Sequence, residues 1–433
     1  YTKRIDAYYS KLIIAFPEVK VGSVIEYTYS IERETMGSLR NWYFQQSIPV
    51  RYSEYQLTIP QIFRFSVQPS VIDPIEDKQE VIDEFITASE GVVRTKSLKS
   101  DYIMRNLVGV KSEPYMGSAK DYMQRLEFQL TQINYTDYTE DISLKWKDVI
   151  KNLMKAEDFG LQLQKNIGAT SGIVSEAKQI ANLETRMKFI FEKLRKELIW
   201  NEDYDVYSDI GITKAWDTKT GNSADINLLL INLLNVAGIK STPILLSTRQ
   251  HGLVTPAYPF IYQFNTVMAY VALQGKIFVL DATDKFINYK LIPEPVANTK
   301  GFLMEGEDGK WKDLLSGKYK YREMTAVQGE IDSAGNFKGT GLVNSYDYAR
   351  LERCQSWATD KNKFKEEYFS KPYPSVHIQD FSINNVDADS LQLEQKVNFT
   401  SSLNKSGGYS YFSVNLFSNL ETNPFIAEKR ISD

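Results

Sequence analysis

Cysteine is almost absent: Cys354 is the only one in 433 residues. That excludes an internal disulfide and any multi-cysteine metal site. Histidine is nearly as scarce, with only His251 and His377. Zinc prefers several nitrogen or sulfur ligands, so no cofactor and no structural metal are expected. Only carboxylate sites for hard cations stay open. Long apolar runs are missing too. No stretch approaches the roughly 20 apolar residues that span a bilayer, so no transmembrane segment is expected. Positive charge is not in excess either. Lys and Arg number 51 against 55 Asp and Glu, for a net charge of −4. The basic residues are dispersed among acids, which argues against a nucleic-acid partner.

What is present suits a globular protein. Hydrophobic residues make up 42% and charged residues 24%, and 27 Tyr with 22 Phe can build β-rich cores. The length suggests two or three domains. The sequence opens on Tyr1 and not Met, which points to a processed or truncated chain whose export signal is out of view. It stops at Asp433 soon after Asn423-Pro424-Phe425, which suggests a last domain that continues further. No repeat or low-complexity tract stands out.

Residues 1–140 read as a β domain, most simply an antiparallel β-sandwich. Ile25, Tyr27, Tyr29 and Ile31 alternate with mostly polar neighbours over Val24–Glu32, the period of a half-buried strand. Phe63, Phe65 and Val67 repeat the pattern, as do Leu126, Phe128 and Leu130. The acidic segment Asp73–Glu84 reads as a loop. Near residue 143 the period becomes helical. Trp146, Val149, Ile150, Leu153 and Met154 share one face, a longer helix starts near Asn182, and a third spans Ser223–Ala237 with Gly238 as its stop. Strands follow at Pro243–Ser247, Val267–Leu273 and Lys276–Asp281, the last two joined by a Gln274-Gly275 hairpin turn. Residues 141–320 thus form an α+β core. Residues 321–433 return to mostly β, with a turn at Ala334-Gly335-Asn336, a helix at Asp347–Trp357 and strands at Leu391–Thr400 and Tyr409–Phe417.

One constellation stands apart. Gly221-Asn222-Ser223-Ala224-Asp225 opens the third helix, Phe264-Asn265-Thr266-Val267 begins a strand, and Leu280-Asp281-Ala282-Thr283 closes the next. A group at a helix N-terminus feels the positive end of the dipole, which favours an anion there. If Leu273 pairs with Lys276, Met268 faces Asp281, and Thr266 and Asp281 point to the same side as diagonal neighbours. A base and its orienting carboxylate need that layout.

Over residues 180–285 this resembles the transglutaminase-like superfamily, in which Gly-x-Cys-x-Asp opens a helix, a His begins a strand and a Leu-Asp-x-Thr motif closes the next. Val236-Ala237-Gly238-Ile239 matches the usual end of that helix. Val21–Tyr27, Trp42-Tyr43-Phe44-Gln45 and Ile48-Pro49-Val50 resemble the uncharacterised β domain that precedes such cores in bacterial envelope proteins. The third region is similar to the β domain that often follows. The resemblance implies a papain-like α+β core, and export to the bacterial periplasm or cell envelope. The nucleophile position, however, holds Ser223 and the base position Thr266; only Asp281 matches. Serine without a base is a poor nucleophile, and threonine cannot take its proton.

Plainer readings stand beside these. Ser223 is most simply a helix N-cap and Asp225 a first-turn acid. Asp281 reads equally as a strand-end hydrogen-bonding residue, and Thr266 as an ordinary strand residue. Trp216 either walls a groove or packs. Trp216, Asn222, Asp225 and His251 are the groove candidates, and His251 is the one histidine close enough in sequence to substitute as a base. His377 reads as a half-buried strand histidine. Cys354 lies on a charged helix with nothing nearby to activate it. The expected function is a catalytically inactive binding or scaffolding module for a protein, peptide or glycan ligand. The alternative is a residual hydrolase or acyltransferase that uses Ser223.

Overall fold

The computed structural model describes residues 2–4, 10–31, 39–88, 91–135, 137–142, 145–315, 317, 319–411, 415–418 and 430–431. The protein is mixed α/β, with seven α-helices and extensive antiparallel sheet among the described residues. It divides into two compact units. One comprises residues 1–151, 250–263 and 427–433, the other residues 152–249 and 264–426.

Besides the two-stranded ribbon of Thr2–Arg4 and Ser10–Leu12, the first unit carries two larger antiparallel sheets among the described residues. One has Arg125–Asn134 between Trp42–Tyr43 and Phe63–Ser70, and the other has Gly91–Leu107 between Val50–Pro60 and Glu76–Ala88. Phe44 and Leu126 pack with Tyr102, Met104 and Leu107 in their shared core. The acidic Asp73–Glu84 segment is not a loop, since most of it belongs to the Glu76–Ala88 strand. Three of its acids meet a basic partner on the neighbouring strand. Glu76 pairs with Arg105 at 2.9 Å, Glu80 with Lys99 at 3.2 Å and Asp83 with Arg94 at 3.2 Å. Cross-strand charge pairs of this kind replace the apolar alternation that usually marks a strand. The reverse correction applies to Val24–Ile31. It alternates like a strand yet has no ladder, and Val24, Tyr27 and Tyr29 are exposed. Alternation says which face could be buried but does not supply a partner strand. Glu32 lies outside the described residues.

In the second unit a five-stranded antiparallel sheet runs in the order Lys276–Leu280, Thr266–Leu273, Ser241–Leu246, Lys300–Leu303, Lys310–Asp313. The helix Ser223–Val236 packs on its middle strands and is apolar almost all round. Every residue from Ser223 to Leu234 is buried, the pattern of a helix enclosed by other elements. Gly238 ends it at φ +81°, a left-handed position that costs glycine little. The helix Leu183–Glu197 starts at Asn182, whose side chain accepts from the Thr185 amide. Gln274 and Gly275 both have positive φ and place Leu273 opposite Lys276, the two-residue turn expected from that pair.

The same unit includes a four-stranded antiparallel sheet ordered Tyr321–Ile331, Asn336–Tyr346, Leu393–Ser402, Val376–Asn384. Phe337, Phe364, Phe369, Phe399 and Phe417 form its core. Arg195, on the helix Leu183–Glu197, ties this region to the five-stranded part. It donates to the Lys285 and Ile287 carbonyls and pairs with Asp389 at 2.7 Å. Beyond Leu393–Ser402 the strand expected over Tyr409–Phe417 spans only Tyr409–Tyr411, and residues 412–414 lie outside the described residues. No described helix is long and apolar enough to cross a membrane.

Candidate functional site

The residues singled out around Ser223 meet at the N-terminus of the buried helix. Gly221 makes the approach possible, since a Cβ there would lie 2.7 Å from the Asp225 Cβ. The cap is Asn222, not Ser223. The Asn222 side chain accepts from the Asp225 amide at 2.8 Å, and Asp225 Oδ2 accepts from the Asn222 amide at 3.0 Å. This reciprocal pair satisfies two helix-end donors at once. Ser223 is therefore the first helical residue.

Asp225 and Asn222 also organise the preceding loop. Asp225 Oδ1 accepts from the Ser208 hydroxyl, and from the Ile210 and Gly211 amides at 3.3 and 3.2 Å. Asn222 donates to the Tyr207 carbonyl at 2.8 Å. Both side chains are fully buried, so they hold the loop in place and do not face a groove. Trp216 is likewise packed, with Lys219 Nζ 3.1 Å from its ring centroid and 7% of its surface exposed.

Ser223 itself has no exposed surface. Its Oγ donates to the Asp205 carbonyl at 3.1 Å and accepts from the Asp205 amide at 2.9 Å. Thr266 Oγ1 donates to it at 3.3 Å. A hydroxyl has one donor and two acceptor sites, and all three are used. Thr266 is also fully buried. The structure thus brings Ser223 and Thr266 into contact, across helix and strand.

Asp281 is held differently. Its Oδ1 accepts from Asn227 Nδ2 at 3.0 Å, from the Thr283 hydroxyl at 2.8 Å and from the Thr283 amide at 3.1 Å. Asn227 further donates to the Val267 carbonyl and accepts from the Ala282 amide, both at 3.0 Å. No described hydrogen bond joins Asp281 to Thr266. Asn227 was not singled out from the sequence. Its signal was a polar residue within an apolar helix, one turn after Ser223. The loop residues Tyr204 and Asp205 were missed as well. Burial raises the Tyr204 phenol, with Asp281 and then Asp284 adding to it. Burial also raises Asp205, opposed by hydrogen bonds from the Tyr207 and Val206 amides.

Burial raises the Asp281 carboxyl above the ordinary value, partly offset by the Asn227 and Thr283 hydrogen bonds. An acid with a raised folded pKa stabilises the fold most below its unfolded value, about 3.9. That contribution is lost as pH climbs through the folded value. Asp281→Asn keeps an acceptor at Oδ1 and removes the buried charge. It should therefore stabilise the protein more at pH 7 than at pH 4, as read by urea midpoints at the two pH values. A loss of stability that is larger at pH 7 than at pH 4 would show instead that the charge itself is needed.

The other candidates belong to other segments of the chain. His251 belongs to the first unit, where partial desolvation and the Lys120 charge hold its imidazole below the usual value. His377 is exposed on the strand Val376–Asn384, not half-buried. Cys354 is buried on the helix Asp347–Thr359, and burial pushes its thiol up to about 11. No group of three or more His, Cys, Asp or Glu able to hold a metal occurs among the described residues.

A family model described as a domain of unknown function, DUF3857, matches residues 9–83. No curated protein matches the chain. Among solved structures, a candidate protease from Parabacteroides distasonis is similar at 11% identity and a TM-score of 0.42, covering 84% of this chain and 68% of that one. A candidate cysteine protease from Cytophaga hutchinsonii is similar at 12% identity and a TM-score of 0.21, over 56% of this chain and 74% of that one.

Proposed function

We propose that the chain is a non-catalytic relative of transglutaminase-like cysteine enzymes, serving as a binding or scaffolding module exported to a bacterial envelope. Ser223, Thr266 and Asp281 stand at the nucleophile, base and orienting positions. The observation that carries this is the state of the Ser223 hydroxyl. It is buried, its hydrogen-bonding capacity is spent on Asp205 and Thr266, and neither partner is a base. A serine needs a group that accepts its proton as it attacks. Such groups act as a unit, so losing one removes most of the chemistry.

The test restores the chemistry in steps, on a Cys354→Ser background. Ser223→Cys alone yields a thiol without a base. Ser223→Cys with Thr266→His adds an imidazole at a position already in contact with residue 223. Asp281 still has Oδ2 outside its present hydrogen bonds to orient the ring. A thiolate–imidazolium pair should then form. Lower thiol nucleophilicity offsets part of the gain in thiolate, so alkylation by iodoacetamide at pH 6 should rise by about tenfold over the single variant. Thiolate absorbance, followed from pH 5 to 9, reports the same pairing where burial slows the reagent. Identical titrations in the two variants would mean that positions 223 and 266 do not act as such a pair. Amide or ester hydrolysis by the unmodified protein, abolished by Ser223→Ala, would replace the non-catalytic reading with a serine hydrolase.

A further inference from the structure

The second unit contains a cavity of about 330 Å³ far in sequence from Ser223. It lies where the helix Leu183–Glu197 and the loop after Leu280 meet the four-stranded region. Four cations line it, Lys188, Lys290, Arg322 and Arg350, against two carboxylates, Asp347 and Asp389. Lys188 is paired with Glu192 at 3.4 Å on its own helix, and the two lining acids do little to balance the other three cations. Asp389 is engaged by Arg195 at 2.7 Å. Asp347 is 3.8 Å from a largely exposed Arg322, a pair worth little in water.

Arg350 is the telling residue. It is 5% exposed. Its Nε donates to the Leu391 carbonyl at 3.1 Å, and its Nη2 to the Asn385 and Val386 carbonyls at 2.9 Å each. Carbonyls satisfy these donors but carry no net charge, and no carboxylate lies in ion-pair range of Arg350 among the described residues. A buried charge without a counter-charge is costly. Aromatic faces hold other cations along the wall. Arg322 lies 4.5 Å from the Tyr346 centroid, and Lys290 lies 5.4 Å from that of Tyr289. Such contacts fix cations in place without neutralising them.

We propose that this cavity binds a compact anion with more than one negative charge, carried on carboxylate or phosphate groups. Arg350 supplies a charge from within, using Nη1, and Lys290 and Arg322 close on the anion from the rim. The volume is at the small end of ligand pockets, which span roughly 300–1,000 Å³. It fits a molecule of a few carbons or a short phosphate, not a peptide. The site is independent of the reading of Ser223.

Calorimetric titration of the full chain with citrate and with pyrophosphate tests this, with glycerol as the neutral control. Saturable binding of at least one anion is expected, weakening with added salt. The tighter probe identifies the carboxylate or the phosphate chemistry. Lys290→Gln and Arg322→Gln change exposed side chains and leave the core alone. Each should weaken binding roughly three- to tenfold, and the pair together by more than about thirtyfold. Lys338→Gln, on a different surface, should leave it unchanged. No saturable heat with either anion would overturn the proposal. So would a double variant that binds like the parent, or an equal loss in Lys338→Gln.

Discussion

Asp225→Ala should destabilise the second unit by roughly 3–5 kcal/mol, one of the largest single-residue losses in the chain. Each buried donor left without an acceptor costs about 1–3 kcal/mol. Four donors converge on this carboxylate: the Ser208 hydroxyl and the amides of Ile210, Gly211 and Asn222. The serine can rotate to another acceptor and the Gly211 amide keeps its bond to the Ser208 hydroxyl at 3.0 Å, but the Ile210 and Asn222 amides are fixed by the backbone with no other described acceptor. Asp225→Asn separates the parts. Its carbonyl oxygen can replace Oδ1 toward residues 208–211, whereas its amide nitrogen would face the Asn222 N–H that Oδ2 now accepts. An intermediate loss is expected, on the order of half. Urea midpoints of the two variants measure this, and near-parental stability of Asp225→Ala would refute the loop-holding role.

Arg353→Ala should lose a similar amount, about 3–5 kcal/mol, because it strands a charge. Arg353 is fully buried on the helix Asp347–Thr359. It pairs with Glu323, donates to Gln395 Oε1 at 2.6 Å and lies 4.3 Å from the Tyr368 ring centroid. One side chain thereby joins the helix to two strands of the four-stranded sheet. Removing both charges is a different matter. Arg353→Met with Glu323→Gln fills similar volume and leaves no ion, so it should recover most of the loss. Thermal unfolding of the single and double variants decides this. A double variant as unstable as Arg353→Ala would place the cost in the lost Gln395 hydrogen bond and Tyr368 ring contact and not in a stranded charge.

Local rules made much of the second unit readable before its structure. The stripe of Ile226, Leu229, Leu230, Leu233 and Leu234 and the glycine at 238 located the helix Ser223–Val236 nearly to the residue. The Gln274-Gly275 turn fixed the hairpin register. These features depend on neighbours within a few positions. What stayed hidden depends on distant partners. Asn222 and Ser223 are both good caps, and the choice between them rests on where the Asp225 side chain turns. The acidic strand Glu76–Ala88 joins the ladder of Gly91–Leu107, whose basic residues meet several of its acids. Val24–Ile31 shows the converse: a strand pattern without a ladder to join. Around Ser223 the sequence singled out Ser223 and Thr266, which do touch, but the loop that closes over the hydroxyl was not legible. It is held by hydrogen bonds to Asp225 and Asn222 and has no periodicity of its own.

Asn227 changes what an aspartate at 281 can signify when such chains are sorted by sequence. It fastens the carboxylate of 281, the carbonyl of 267 and the amide of 282 to one turn of helix. The acid thus has structural work to do whether or not any reaction takes place beside it. Its presence alone is then no marker of activity. An asparagine at 227 ties the acid to the helix whatever residue stands at 223.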